Sequence, residues 1–158
     1  MIPEIKVVKA EPEDWEEAME LAWRTFLKFE APGYSEEGIL NFLNLISGEK
    51  LYRMYLNGSV KLFVAKKDGK IVGMGALRSL NHISLLFVDK AYHRQGIGRE
   101  LVRALQREAF KSTQSCRITV NSAPYAIGFY ETLGFIKTQE LAKADGIEFL
   151  PMTMAAQI

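Results

Sequence analysis

Cysteine is nearly absent from this chain: there is one, Cys116, in 158 residues. No internal disulfide can form, so packing has to hold the fold, as in proteins of a reducing compartment. An excess of charge of either sign is also missing. The formal net charge is +1, which gives no footing for a nucleic-acid partner or an anionic membrane surface. No apolar run approaches the roughly 18 residues needed to cross a bilayer. The opening Met1-Ile2-Pro3-Glu4-Ile5-Lys6 has neither the basic end nor the apolar stretch of a secretory leader. Together these absences imply a cytoplasmic protein. Repeats, low-complexity stretches and domain-dividing linkers are lacking too, and nothing calls for a metal. With 48% hydrophobic and 25% charged residues, the composition is that of an ordinary globular chain. Its length suits a single domain over residues 1–158 with one core.

Against this plain background one stretch stands out. Leu85-Leu86-Phe87-Val88 is solidly apolar, Asp89 to Gly98 is polar with two glycines, and a helical pattern follows. Ile97, Leu101, Leu105 and Ala109, with Val102 beside them, form an inward stripe. Arg99, Glu100, Arg103, Gln106, Arg107 and Lys111 fill the outer face. A glycine-bearing loop that opens a helix offers unpaired backbone N–H groups and the positive end of the helix dipole, which together suit a phosphate. Arg94 and Arg99 flank the glycines, where a guanidinium can bind a pyrophosphate bidentately. Two common phosphate loops are excluded. Gly98 is followed by Arg99-Glu100 rather than Lys-Ser/Thr. The third glycine of a dinucleotide fingerprint is replaced by Leu101, and Arg117-Ile118-Thr119 occupies the region where its acidic residue belongs.

A second segment narrows the choice. Arg117 to Val120 reads as a strand, and Asn121-Ser122 can cap a helix with Pro124 in its first turn. That helix carries Tyr125, Phe129, Tyr130 and Leu133, and Gly134 sits where a left-handed C-terminal cap belongs. The two segments, in this order and at this separation, resemble the GCN5-related N-acetyltransferase (GNAT) family, over about residues 60–140. The run from Leu86 through Tyr92-His93-Arg94-Gln95-Gly96-Ile97-Gly98-Arg99 is similar to that family's acetyl-CoA pyrophosphate loop. Its first position, commonly Gln or Arg there, is His93 here. The Asn121-Ser122-Ala123-Pro124-Tyr125 to Gly134-Phe135 run is similar to its second coenzyme-contacting segment.

The wider pattern agrees. Residues 4–9 suit a first strand. Glu13 to Phe29 and Ser35 to Ile46 read as amphipathic helices. Glu49 to Leu56 is either a short helix or one arm of a hairpin turned at Asn57-Gly58. Lys61–Lys66 and Ile71–Arg78 flank the hairpin signal Asp68-Gly69; His82–Val88, Phe135–Glu140 and Glu148–Met154 supply further strands. The fold class is therefore α/β. The resemblance implies a GNAT-like, mixed, mostly antiparallel central sheet with a splayed parallel strand pair and helices on both faces. The crossover from 82–88 to 117–121 through the long helix should make those two strands the parallel pair.

The resemblance implies acetyl-CoA as co-substrate. Its diphosphate would lie on His93 to Arg99, including Gln95, Gly96, Ile97 and Gly98. Its pantetheine arm would pair with the free edge at Leu86, Phe87 and Val88 by strand addition. Asn121 would hydrogen-bond that arm, cap the next helix, or do both. An alkyl amine of pKa about 10.4 needs a base, and a thiolate leaves better with an acid at hand. Tyr130 matches the family's thiolate-protonating tyrosine. For the base, His82 titrates in the useful range, and Glu30 could act through water. Cys116 has no sequence-evident histidine to activate it, so direct attack in a ternary complex is expected. Phe29, Glu30 and Tyr34, with Trp23 and Phe26, either wall the acceptor site or, for the last two, pack the core. The expected activity is acetyl transfer to a primary amine of a small molecule or peptide, by a monomer or homodimer. The alternative is an acyl-CoA-binding sensor or interaction domain without turnover.

Overall fold

The computed structural model describes residues 4–156; Met1–Pro3, part of the stretch read for a leader, lie outside them. The elements run β1 (Ile5–Lys9), α1 (Trp15–Phe29), α2 (Glu36–Ser47), α3 (Glu49–Leu56), β2 (Lys61–Lys67), β3 (Lys70–Arg78), β4 (His82–Val88), α4 (Ile97–Thr113), β5 (Ile118–Ser122), α5 (Ile127–Thr132), β6 (Ile136–Lys137), β7 (Ala142–Ala144) and β8 (Ile147–Met154). The strands order as β1-β2-β3-β4-β5-β8-β6, with β7 paired to β8. Every pairing is antiparallel except β4 with β5. The expected mixed sheet and its parallel pair are both present.

Helices cover the two faces with separate cores. On one face α4 buries Ile97, Leu101, Val102, Leu105 and Ala109 against Val72, Leu77, Ile83 and Ile118. Two glycines of β3 let it come close: a Cβ on Gly73 would sit 3.1 Å from Ile97 and Leu101 atoms, and one on Gly75 would sit 3.0 Å from Leu105. On the other face α1 packs Ala18, Met19, Leu21, Ala22 and Phe26 onto Val64, Met74, Ala76 and Phe87. Phe26 is the centre of an aromatic stack, with its ring centroid 4.1 Å from Phe42 and 5.0 Å from Tyr34. Trp23 and Phe26 are thus core residues rather than acceptor wall.

Glu49–Leu56 forms the short helix that Leu51, Met54 and Tyr55 favour, and Asn57-Gly58 closes it. Several other local expectations need correction. Gln106 is not on the outer face: it is buried, and its amide donates to the Cys116 and Ala156 carbonyls, tying α4 to the chain entering β5 and leaving β8. Asn121 and Ser122 cap nothing. Both stay in β5, paired with Pro151 and Leu150, because the β8 partner extends the ladder past the point where a helix could start. The following turn begins at Pro124, with no capping side chain. The strand expected over 135–140 shrinks to Ile136–Lys137, and the chain folds back through β7. Gly134 does close α5 with φ +101°. Its N–H donates to the Glu131 carbonyl and that of Phe135 to the Tyr130 carbonyl, the paired C-terminal closure that a left-handed glycine permits.

Candidate active site

The parallel pair is short. β4 and β5 are in register only at His82–Thr119 and Ile83–Val120. Immediately after Ile83, β4 carries a bulge: Leu77 faces Ile83 and Ala76 faces Leu85, leaving Ser84 extra. A bulge bends its strand and disrupts local pairing, and from here β4 stays with β3 while β5 follows β8. The gap between them is a cleft that α5 and the loop before α4 line on one side and the α1–α2 connection on the other.

The α4 side of that gap is a cavity of about 420 Å³, walled by Leu86, Val88, His93, Arg94, Gly96–Arg99 and residues of α5. α4 begins at Gly96, which has φ +81° and no capping side chain. Its first internal bond is from the Glu100 N–H to the Gly96 carbonyl. Among the described residues no hydrogen bond engages the N–H groups of Arg94 to Arg99. The contrast with α2 is informative: there the Ser35 side chain accepts from the Gly38 N–H at 3.1 Å and fills the helix start. A capping residue at position 96 would occupy the donors that glycine leaves open. Gly98 keeps the wall thin, since a Cβ there would lie 2.9 Å from the Phe129 ring. Arg94 and Arg99 make no ion pair among the described residues. The loop itself is pinned by other groups: Asp89 accepts from the Ala91 N–H and pairs with Arg24 at 2.8 Å. The His93 Nε2 is 2.7 Å from the Val88 carbonyl. His93 is therefore turned back to the strand end, and Gln95 stands outside the cavity wall. Dipole, open amides and two free guanidinium groups together fit a diphosphate.

The opposite side holds a cavity of about 440 Å³. Glu30 and Tyr34 from the α1–α2 connection line it, with Phe87, Asn121 and Ser122 from the splayed strands. Leu86, Tyr125, Ala126 and Tyr130 wall both cavities, so the two adjoin at the gap between β4 and β5. Tyr130 is 5% exposed, and burial, followed by the negative potential of Glu30, pushes its phenol well above its ordinary range. Glu30 carries the reverse message for a base: burial lifts its carboxyl to about 7, against the opposing effect of the Tyr34 hydroxyl. Phe29 faces a small side chamber of about 180 Å³ and stacks on Tyr125 at 5.7 Å.

His82 is elsewhere. It sits where β4 and β5 are still paired, its Nδ1 2.8 Å from Thr119 Oγ1, and it lines neither cavity. Burial, with Arg78 nearby, lowers its pKa to about 4. Cys116 also lies outside both cavities. Phe42, Arg78 and the β7–β8 hairpin also wall the second cavity, and sequence reasoning singled out none of them. The hairpin was signalled only by Asp145-Gly146, a turn pair. Its turn docks on the start of α2, where the Ser35 N–H donates to the Gly146 carbonyl at 3.2 Å.

These features have counterparts in known proteins. The family model described as an acetyltransferase (GNAT) domain matches residues 30–156. A glucosamine 6-phosphate N-acetyltransferase of Trypanosoma brucei brucei is 31% identical over 85 residues, which is 48% of this chain and 57% of that protein; the match thus spans little more than half of that relative's length. Among solved structures, a GCN5-related N-acetyltransferase from Rhodopseudomonas palustris superposes with a TM-score of 0.81 at 22% identity, covering 99% of each chain. The PaiA N-acetyltransferase of Thermoplasma acidophilum, solved in complex with coenzyme A, superposes with a TM-score of 0.76 at 22% identity, over 97% of this chain and 99% of that one. The family match begins at Glu30 and runs through the phosphate loop, both splayed strands and α5, and on that ground the chain belongs to the GNAT acetyltransferase family.

Proposed function

We propose that this chain, acting as one unit, transfers an acetyl group from acetyl-CoA to a primary amine by direct attack in a ternary complex. The observation that carries the reading is the junction of two cavities at Leu86, Tyr125, Ala126 and Tyr130. One cavity has open amides suited to a diphosphate; the other has a carboxyl that titrates near neutrality. Donor and acceptor enter from opposite sides, and the thioester lies at the junction. The pantetheine arm follows Leu86 to Val88, extending the edge that β5 abandons.

Each residue has a distinct task. Glu30, ionised in part at pH 7, accepts a proton from the bound ammonium, directly or through water. The free amine then attacks the thioester carbonyl. As the tetrahedral intermediate collapses, the carbon–sulfur bond breaks, the thiolate takes the proton of the Tyr130 hydroxyl, and the second proton of the acetylated nitrogen restores that hydroxyl, directly or through water. Burial keeps that phenol protonated through neutral pH, the form an acid requires. No acyl-enzyme is involved, since Cys116 lines neither cavity. Glu30 replaces His82 as the base: a histidine of pKa about 4, bonded to Thr119 away from the junction, takes up no proton near neutrality. Asn121 and Ser122 border the acceptor cavity and can contact either the arm or the amine. A titratable carboxyl in the cavity beside the junction is also what favours turnover over the non-catalytic sensor reading.

Calorimetric titration with acetyl-CoA is expected to show a one-to-one complex. Screening primary amines for release of the coenzyme thiol is expected to find acceptors. In Tyr130→Phe, turnover is expected to fall on the order of 100-fold, the usual weight of a general acid, with acetyl-CoA affinity nearly intact. No heat at millimolar acetyl-CoA sinks the reading; equal turnover by the variant removes Tyr130 from the acid role.

A further inference from the structure

We infer that the acceptor amine carries an anionic group, a carboxylate or a phosphate, and that Arg78 binds it. This rests on the reading of the Glu30 cavity as the acceptor site. Among the residues lining that cavity, Arg78 is the one with a fixed positive charge. Its guanidinium makes no ion pair and no hydrogen bond with any described residue. Asp145, which lines the same cavity from the hairpin turn, is not within ion-pair distance of it.

Position decides which anion Arg78 serves. It ends β3 and stands in register opposite His82, the first residue of β4. The diphosphate cradle follows the other end of β4, beyond Val88. Six residue-to-residue steps separate the two ends of β4, about 20 Å. The donor's diphosphate is thus held by Arg94, Arg99 and the open amides and lies out of reach of Arg78. What does reach Arg78 is the far end of a molecule whose ammonium sits at Glu30. A guanidinium with free donors forms strong bidentate bonds to a carboxylate or phosphate. The opposite charges at Glu30 and Arg78 select an acceptor with an ammonium at one end and an anion at the other. A simple polyamine would put a cation against Arg78.

Matched acceptors separate this from its alternatives: phosphoethanolamine against ethanolamine, and β-alanine against its amide. Each is tested for thiol release with acetyl-CoA and for binding to the coenzyme A complex by thermal shift. The anionic member of at least one pair is expected to have a KM at least 10-fold lower, the pair concerned telling phosphate from carboxylate. In Arg78→Gln that advantage is expected to collapse to within about 2-fold, while Arg78→Lys keeps part of it. A merely structural Arg78 would shift both members of a pair alike. Equal use of both members, preference for the neutral one, or no anionic amine bound at millimolar concentration overturns the inference. These outcomes, in a protein that still binds acetyl-CoA, leave the proposed transfer standing; loss of acetyl-CoA binding by the wild type is what would topple that.

Discussion

Glu30 and His82, the two candidates for the base, are titratable groups whose surroundings push them in opposite directions. A histidine near its ordinary pKa is the usual choice for a base at neutral pH. Here burial and Arg78 hold His82 at about 4, and burial raises the Glu30 carboxyl to about 7. The rate under saturating substrates is therefore expected to rise with pH through about 7 as Glu30 ionises. In Glu30→Gln that limb should vanish and turnover drop on the order of 100-fold, which stopped-flow assays across pH 5.5–8.5 would check. An NMR titration of the His82 ring is expected to show the neutral imidazole still dominant at pH 5.5; a midpoint near 6.5 would return it to contention. Neither shift is legible from sequence, because desolvation is the largest cause of each and burial is set by how the chain packs; the near neighbours do less, Arg78 adding to the His82 shift and Tyr34 opposing that of Glu30.

The phosphate cradle belongs to an element and its junction. Gly96 in a left-handed conformation starts α4 without blocking its amides, and Gly98 lets α5 pass close by. Gly98→Val is expected to drive a side chain into the Phe129 ring and weaken acetyl-CoA at least 10-fold by calorimetry. The far-UV circular dichroism should stay unchanged, because the helix stripe from Leu101 onward is untouched. This part of the site was readable in advance, since strand, glycine loop and helix are contiguous and their spacing carries the geometry. Asn121 was misread for the converse reason. An Asn-Ser before a Pro is a good local capping signal, but β8 pairs with both residues and holds them in the sheet. Gln106 was misplaced likewise, because helical periodicity cannot tell that two carbonyls await an amide on that face.

At the scale of the whole molecule, the Glu30 cavity assembles from segments that sequence distance keeps apart: the α1–α2 connection, the end of β3, β5 and the β7–β8 hairpin. Burying Glu30 there has a cost in stability. Its folded pKa, about 7, lies above the ordinary 4.5. Its stabilising contribution is thus fully present below 4.5 and lost as pH rises toward 7, where the native state binds more protons than the unfolded one. Urea midpoints of Glu30→Gln relative to wild type are expected to improve steadily from pH 4.5 to 7 and then level off; a flat difference would mean an ordinary, solvated carboxyl. The amino-acid order alone determined the α/β class, the order of the elements from β1 to β5, the glycine loop that opens α4 and the helical setting of Tyr130, because these depend on periodicity and on neighbours within a few residues. Where the two strands part, which carboxyl is lifted toward neutrality and which arginine of the cavity stays unpaired were decided by the tertiary structure. Desolvation, a bulge at Ser84 set against β3 and an unpartnered Arg78 arise only when distant segments are brought together.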